Sequence, residues 1–190
     1  MKHLERYTIL TDVQHGFRAK RSTVPQLILT IHDMANTIQN NNSLHAAVLD
    51  FSKAFDKVPH KRLIYKLNYF GIRGPLSSWI ESSLTNRSQF VVCEGKRCNP
   101  AKVTSGVPQG TVLGPLLFLL YVNDLPNKLK SSIRLFADDA LLYGVVSSDV
   151  DSDQLQEDLK KLEVWQNKWQ ISFNPAKCKT ICLPTKKVPP

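Results

Sequence analysis

Apolar positions recur along this chain with two different periods, and the switches between them mark out the elements. Across Thr23–Gln39, Leu27, Ile31, Met34, Ala35 and Ile38 fall at three- and four-residue steps. That spacing reads as an amphipathic helix, with Pro25 tolerated in its first turn. Residues 45–51 (His-Ala-Ala-Val-Leu-Asp-Phe) are instead a short apolar run, read as a buried strand with Asp50 at its end. Helices are expected over 61–68 and 75–84, and a hairpin turning near Gly95 joins 89–94 to 96–105. Residues 113–124 form a strongly apolar helix entered through a turn rich in Gly and Pro. Two β-type runs, 133–137 and 140–145, are separated only by Asp138 and Asp139, the length of a two-residue hairpin loop. Leu155, Leu159, Leu162, Trp165 and Trp169 repeat at helical spacing and are expected to face a core. Strands at 171–173 and 178–183 flank an Asn174-Pro175 turn. Hairpins mixed with helices, without a regular βαβ repeat, predict an α+β fold.

Composition narrows this picture. With 190 residues, 42% hydrophobic and 22% charged, the chain suits one domain with a real core. No run approaches the roughly 18 apolar residues of a membrane span. The first thirty residues are too charged for a secretory signal, so the expectation is an intracellular protein, nuclear and/or cytoplasmic, with no membrane partner. Cys93, Cys98, Cys178 and Cys182 lack zinc-finger spacing and read as reduced thiols. The net charge of +9 favours a polyanionic partner, nucleic acid or a membrane surface.

Chemistry enters at Asp138-Asp139. An Asp-Asp pair in a turn is ordinarily solvated surface, but here apolar strands flank it on both sides and hold the carboxylates at a rigid tip. Two adjacent like charges stay ionised most simply with a bound divalent cation. Asp50 can supply a third carboxylate if its strand pairs in the same sheet. Three carboxylates holding two Mg²⁺ ions about 3.5–4 Å apart are what in-line nucleotidyl transfer requires.

At this point a family resemblance becomes specific. Residues 48–56 (Val-Leu-Asp-Phe-Ser-Lys-Ala-Phe-Asp) resemble motif A of reverse transcriptases, 105–117 (Ser-Gly-Val-Pro-Gln-Gly-Thr-Val-Leu-Gly-Pro-Leu-Leu) motif B, and 135–140 (Leu-Phe-Ala-Asp-Asp-Ala) motif C, in the right order. Tyr121-Val-Asn-Asp-Leu-Pro126 is similar to non-LTR (LINE-like) elements, Gln14-His-Gly-Phe-Arg-Ala-Lys-Arg-Ser22 resembles the segment joining fingers to palm, and 165–179 resembles motif D. The resemblance implies a right-hand polymerase palm, an antiparallel sheet backed by helices. Residues 1–45 would be partial fingers and palm entry, 46–185 palm and 186–190 a tail, with the thumb absent. On this expectation the chain is a truncated catalytic core.

The resemblance also implies roles. Asp50, Asp138 and Asp139 would bind metal, with the Phe51 carbonyl as a further ligand and Mn²⁺ able to replace Mg²⁺. Ser52, Lys53, Ala54, Phe55, Gln109 and Gly110 would bind the incoming nucleotide, Phe55 as the aromatic gate against the 2′-hydroxyl. Lys177 would act as general acid near the leaving pyrophosphate. Arg18, Arg21, Phe136 and Ala137 would contact nucleic acid, and the partners would be an RNA template, a DNA primer and dNTPs. Core packing for Phe55, a turn for Gln109, hairpin packing for Phe136 and Ala137, and a solvated loop for the two arginines are the plain alternatives. Asp56, Lys57 and His60 are expected to be structural. Against an RNA-dependent RNA polymerase stand Ala137, where Gly is usual, and Phe55. The alternative from another class is a catalytically inactive nucleic-acid-binding remnant.

Overall fold

The strand ending in Asp50 forms as β1 (Ser43–Asp50) and sits inside the main sheet. The computed structural model describes residues 2–184; the expected 186–190 tail lies outside them. The chain runs through α1 (Lys2–Arg6), α2 (Thr23–Gln39), β1, α3 (His60–Tyr69) and α4 (Pro75–Leu84). Four two-residue strands follow: β2 (Ser88–Gln89), β3 (Val92–Cys93), β4 (Lys96–Arg97) and β5 (Ala101–Lys102). Then come α5 (Leu113–Val122), β6 (Ser132–Phe136), β7 (Asp139–Val146), α6 (Asp149–Trp169) and β8 (Lys179–Leu183). The main sheet has the order β6-β7-β1-β8, antiparallel throughout. The expected hairpin is present as β3 and β4, closed by Glu94 and Gly95, with β2 and β5 pairing at its base.

Strand alternation decides where the core lies. In β1 and the residue after it, Ala47, Leu49 and Phe51 point into the main core, while Leu44 and Ala46 point to the other face. Leu63 and Leu67 of α3, Leu117, Phe118 and Leu120 of α5, and Leu162 and Trp169 of α6 fill that core. Helix α5 is apolar all round and buries every residue from 117 to 122, as a helix enclosed on all sides must.

Three features of the structure add to or depart from these expectations. First, α2 is amphipathic as predicted, but its apolar stripe is turned outward: Leu27 is 56% and Ile31 62% exposed, whereas Gln26, Thr30 and Thr37 are buried. Beneath it, Met34 packs on the small apolar cluster of Leu44, Ala46 and Tyr143, and the remaining contacts to the sheet are polar. Asp33 of α2 accepts from Arg134 (2.8 Å) and Tyr143 (2.5 Å), and Gln26 donates to the Leu135 carbonyl. Burial pushes the Asp33 carboxyl up, but these two hydrogen bonds and the Arg134 charge hold it below its usual value. Second, residues 171–173 form no strand, only a bridge from Phe173 to Phe51, because the Asn174 turn starts at once, its amide bound to the Asp50 carbonyl (2.7 Å). Third, the hairpin turn is Ala137-Asp138, and Asp139 is already the first residue of β7.

Candidate active site

That one-residue shift in the turn defines the site. Because β7 begins at Asp139, register places Asp139 directly opposite Asp50, and both side chains project from the same face. Asp138 stands at the tip of the adjoining turn. Pairing two carboxylates across strands is electrostatically unfavourable, and Asp139 records it. Its carboxyl is pushed above the usual range, by burial first and then by the charges of Asp138 and Asp50, with Lys177 pulling the other way. The Lys177 ammonium lies 3.3 Å from Asp50 Oδ2. The second oxygen, Asp50 Oδ1, is buried without a hydrogen-bond partner among the described residues.

A buried carboxylate oxygen without a partner is costly unless a ligand completes it. Among the described residues, no three His, Cys, Asp or Glu side chains are gathered closely enough to form a metal cage as they stand. The donor set nevertheless fits Mg²⁺, which takes one or two carboxylates and keeps water or substrate phosphates for the rest. Asp50, with its open oxygen, and the destabilised Asp139 are the residues that fit such an ion, with Asp138 beside them.

The loop after β1 carries the expected nucleotide-binding residues. Phe51 is buried, its ring stacked on Phe173 at 4.5 Å. The Ser52 amide donates to the Ser172 carbonyl (2.8 Å), so it is engaged within the fold rather than free for a phosphate. Lys53 adopts a left-handed φ of 52°, and Ala54 is buried. Phe55 stacks on core Phe118 at 4.8 Å and meets Phe17 edge-on at 6.1 Å, so it belongs to both the core rim and the site.

Residues 105–110 dock directly on that loop. The Val107 amide donates to Phe55 O (2.7 Å), the Ser105 hydroxyl to Asp56 O (2.8 Å) and Gln109 Nε2 to Asp56 Oδ1 (2.9 Å). Gly106, at φ 92°, is required: a Cβ would lie 2.8 Å from the Asp56 carbonyl oxygen. Gly110 also has positive φ but faces open space. His60 is buried and bonds Gly106 O at 2.9 Å, so Asp56 and His60 both tie residues 105–110 to their neighbours. A cleft of about 560 Å³ opens here, lined by Lys53, Asp56, Gln109 and two cations the sequence did not single out, Arg87 and Lys102. Both lie at the base of the β2–β5 hairpin, which no periodicity ties to the carboxylates.

The expected nucleic-acid contacts are arranged differently. Arg18 donates to Thr11 O (2.6 Å) and Arg21 pairs with Asp12 (2.6 Å), so both guanidinium groups brace the N-terminal segment. Ala137 has φ 55°, which costs a residue with a Cβ roughly 1–2 kcal/mol. The residue that holds it there is buried Gln14, to which the sequence alone gives no role. Its amide bonds both the N–H and the C=O of Ala137. All four cysteines are free, with Cys178 half-buried and Cys182 exposed, and no described helix is long and apolar enough to cross a membrane.

The family model "Reverse transcriptase (RNA-dependent DNA polymerase)" matches residues 1–188. The RNA-directed DNA polymerase from mobile element jockey of Drosophila funebris is 30% identical over 88% of this chain and 19% of its own length. A Pol polyprotein from the type-1 retrotransposable element R2 of Popillia japonica is 27% identical over 86% of this chain and 28% of its own. The chain thus spans about a fifth to three tenths of the length of these relatives. Among solved structures, telomerase from Candida albicans superposes on all of this chain and 34% of its own, with TM-score 0.66 at 15% identity. Telomerase from Candida tropicalis covers 81% of this chain and 29% of its own, with TM-score 0.61 at 12% identity. At these identities the likeness is one of fold, the α+β polymerase palm.

Proposed function

Because the chain belongs to the reverse transcriptase family, of the kind found in non-LTR retrotransposons, we propose that it carries the nucleotidyl-transfer centre of an RNA-directed DNA polymerase. The observation that supports this most directly is the cross-strand pair Asp50 and Asp139, with one Asp50 oxygen buried and unpartnered. Asp50, Asp138, Asp139 and the Phe51 carbonyl would hold two Mg²⁺ ions, or Mn²⁺ in their place. When bound, such ions lower the pKa of an attacking 3′-hydroxyl and stabilise charge on the reacting phosphate.

The chain's own residues then bind and orient. The cleft edged by Lys53, Arg87, Lys102 and Gln109 suits the triphosphate of a dNTP, with Ala54 and Gly110 offering backbone rather than bulk beside it. Ser52 shapes this loop through its bond to Ser172. Phe55, braced by Phe118, stands where a ring would exclude a 2′-hydroxyl. Lys177 keeps positive charge beside Asp50 and is the nearest candidate to protonate a leaving pyrophosphate. Phe136 and Ala137 border the primer end, and Arg18 and Arg21 reach template phosphate by exchanging their present contacts on the N-terminal segment for phosphate oxygens. The partners are an RNA template, a DNA primer and dNTPs, met inside the cell in the nucleus, the cytoplasm or both.

Primer extension tests the reading. The chain is incubated with a DNA primer annealed to RNA, Mg²⁺ and dNTPs, beside an Asp138→Ala variant. Extension by the wild type that disappears in the variant supports it. Extension unaltered by the substitution, or binding of the duplex without any extension, sinks it, the latter in favour of a binding remnant.

A further inference from the structure

A glutamine amide buried beside the Ala137-Asp138 turn holds both the N–H and the C=O of Ala137. Gln14 is 2% exposed. Its Oε1 accepts from the Ala137 amide (2.9 Å) and the Gly16 amide (2.8 Å), and its Nε2 donates to the Ala137 carbonyl (3.1 Å). The side chain therefore treats Ala137 as an adjoining strand would, satisfying donor and acceptor together. Ala137 needs such support, because its left-handed φ is one an alanine seldom holds without outside restraint.

The segment carrying Gln14 is itself anchored at both ends. Next to the turn, Gln14 bridges Leu135 in parallel, with the His15 amide on Leu135 O and the Leu135 amide on Val13 O, both 2.9 Å. Further back, Asn123, just after α5, accepts from the Thr11 amide (2.8 Å) and donates to Ile9 O (2.7 Å). Contact at the turn is close enough to exclude any side chain at Gly16, where a Cβ would lie 2.1 Å from the Ala137 nitrogen. We infer that Gln14 is a positioning residue: its amide fixes the Ala137-Asp138 turn so that Asp138 and Asp139 face Asp50 in the geometry that metal binding requires. This rests on the metal-binding reading of those carboxylates.

The test uses the whole chain, Mn²⁺ as the probe, and two substitutions of buried glutamines that touch the same hairpin. Gln14→Met removes the amide at similar size. Gln26→Met is the control, since Gln26 reaches Leu135 O but not the turn. NMR reads the hydrogen exchange of the Ala137 amide, and paramagnetic broadening of the Asp138 and Asp139 signals reads Mn²⁺ affinity. In Gln14→Met the Ala137 amide is expected to exchange about tenfold faster and Mn²⁺ to bind about tenfold more weakly, the scale of one hydrogen bond lost. In Gln26→Met neither reading changes. Should Gln14→Met fail to fold, Gln14→Asn keeps the polar group but falls one methylene short of Ala137, and the same two shifts are expected. Unchanged Mn²⁺ affinity in the Gln14 variant, or equal weakening in the Gln26 control, overturns the positioning role. A wild-type chain with no Mn²⁺ affinity fails differently: it removes the metal reading itself and the positioning claim along with it.

Discussion

Two lysine–aspartate pairs in this chain use the same charges to different ends. Lys66 is 3% exposed in its side chain, donates to Asp124 at 2.5 Å and to the Tyr121 carbonyl, and lies over the rings of Trp169, Tyr121 and Trp165 at 3.8, 4.8 and 5.0 Å. Trp165 in turn donates to Asp124 at 3.0 Å. Burial draws the Lys66 ammonium down to about 8, against the upward pull of Asp124. Lys177 is 64% exposed, meets Asp50 at 3.3 Å, and leaves the other Asp50 oxygen buried and bare. One cluster is complete within the protein, and the other is complete only with a ligand. The count of unmet hydrogen-bonding groups, more than the presence of charge, separates a structural pair from a functional one.

Substitution at Asp50 offers the largest contrast. In a complete and active relative carrying the same motifs, the change matching Asp50→Asn is expected to cut nucleotide incorporation by at least about 10³-fold, the scale of losing several kcal/mol of metal-assisted stabilisation. In this chain the same change removes an incompletely paired charge, so the denaturant midpoint should hold or rise. Marked destabilisation would make Asp50 a structural residue and erase the distinction.

Lys66→Ala should do the reverse. Removing one partner of a buried pair strands Asp124 and opens a gap between three rings, a loss of about 3–5 kcal/mol in chemical unfolding. A loss below about 1 kcal/mol, the range of exposed pairs, would show that the enclosed cluster is no more integral than the open one.

The carboxylate side of this contrast is readable from the sequence. Residues 45–51, 133–137 and 140–145 announce strands because apolar runs of that length bury, and the carboxylates follow from their position at the strand ends. The turn residues were misplaced by one, since a two-residue gap between apolar runs cannot say whether Ala137 or Asp139 belongs to the loop; contacts from Gln14, 123 positions away in sequence, settle that. Helix α2 misleads for a related reason. Its periodicity is real, yet periodicity does not reveal that the opposing sheet face carries Arg134 and Tyr143, which select the polar side of the helix. Lys66 in α3 gave no signal, because a lysine in a helix reads as solvated until three rings from α5 and α6 close over it.

Phe55 straddles the two regions and sharpens the line between them. It packs on Phe118 from the core and lies in the loop after β1. Phe55→Ala should cost this chain about 2–3 kcal/mol, toward or below the low end for a buried phenylalanine because the ring is only half enclosed. In a complete active relative the matching change should raise ribonucleotide relative to deoxyribonucleotide incorporation by roughly tenfold, the range a pocket achieves by sterics alone. Stability loss with an unchanged ratio would assign Phe55 to the core and leave the gate unfilled.

The smallest effect is expected at Lys177, and its sign is informative. An exposed pair is worth at most about 1 kcal/mol, so Lys177→Met should leave unfolding nearly unchanged. The Asp139 carboxyl should respond more clearly. In the native chain it is raised by burial, Asp138 and Asp50 and lowered by Lys177, so removing the ammonium raises it further. A carboxyl raised in the folded state holds its proton more tightly there than in the unfolded chain. Its contribution therefore favours the fold fully below the unfolded value and is lost as pH rises through the folded one. Carboxyl-carbon NMR of the metal-free chain should show Asp139 titrating above a normal aspartate, and higher still in Lys177→Met. A downward or absent shift would mean that Lys177 does not act on the carboxylate group, and the pair with Asp50 would then be an ordinary surface contact.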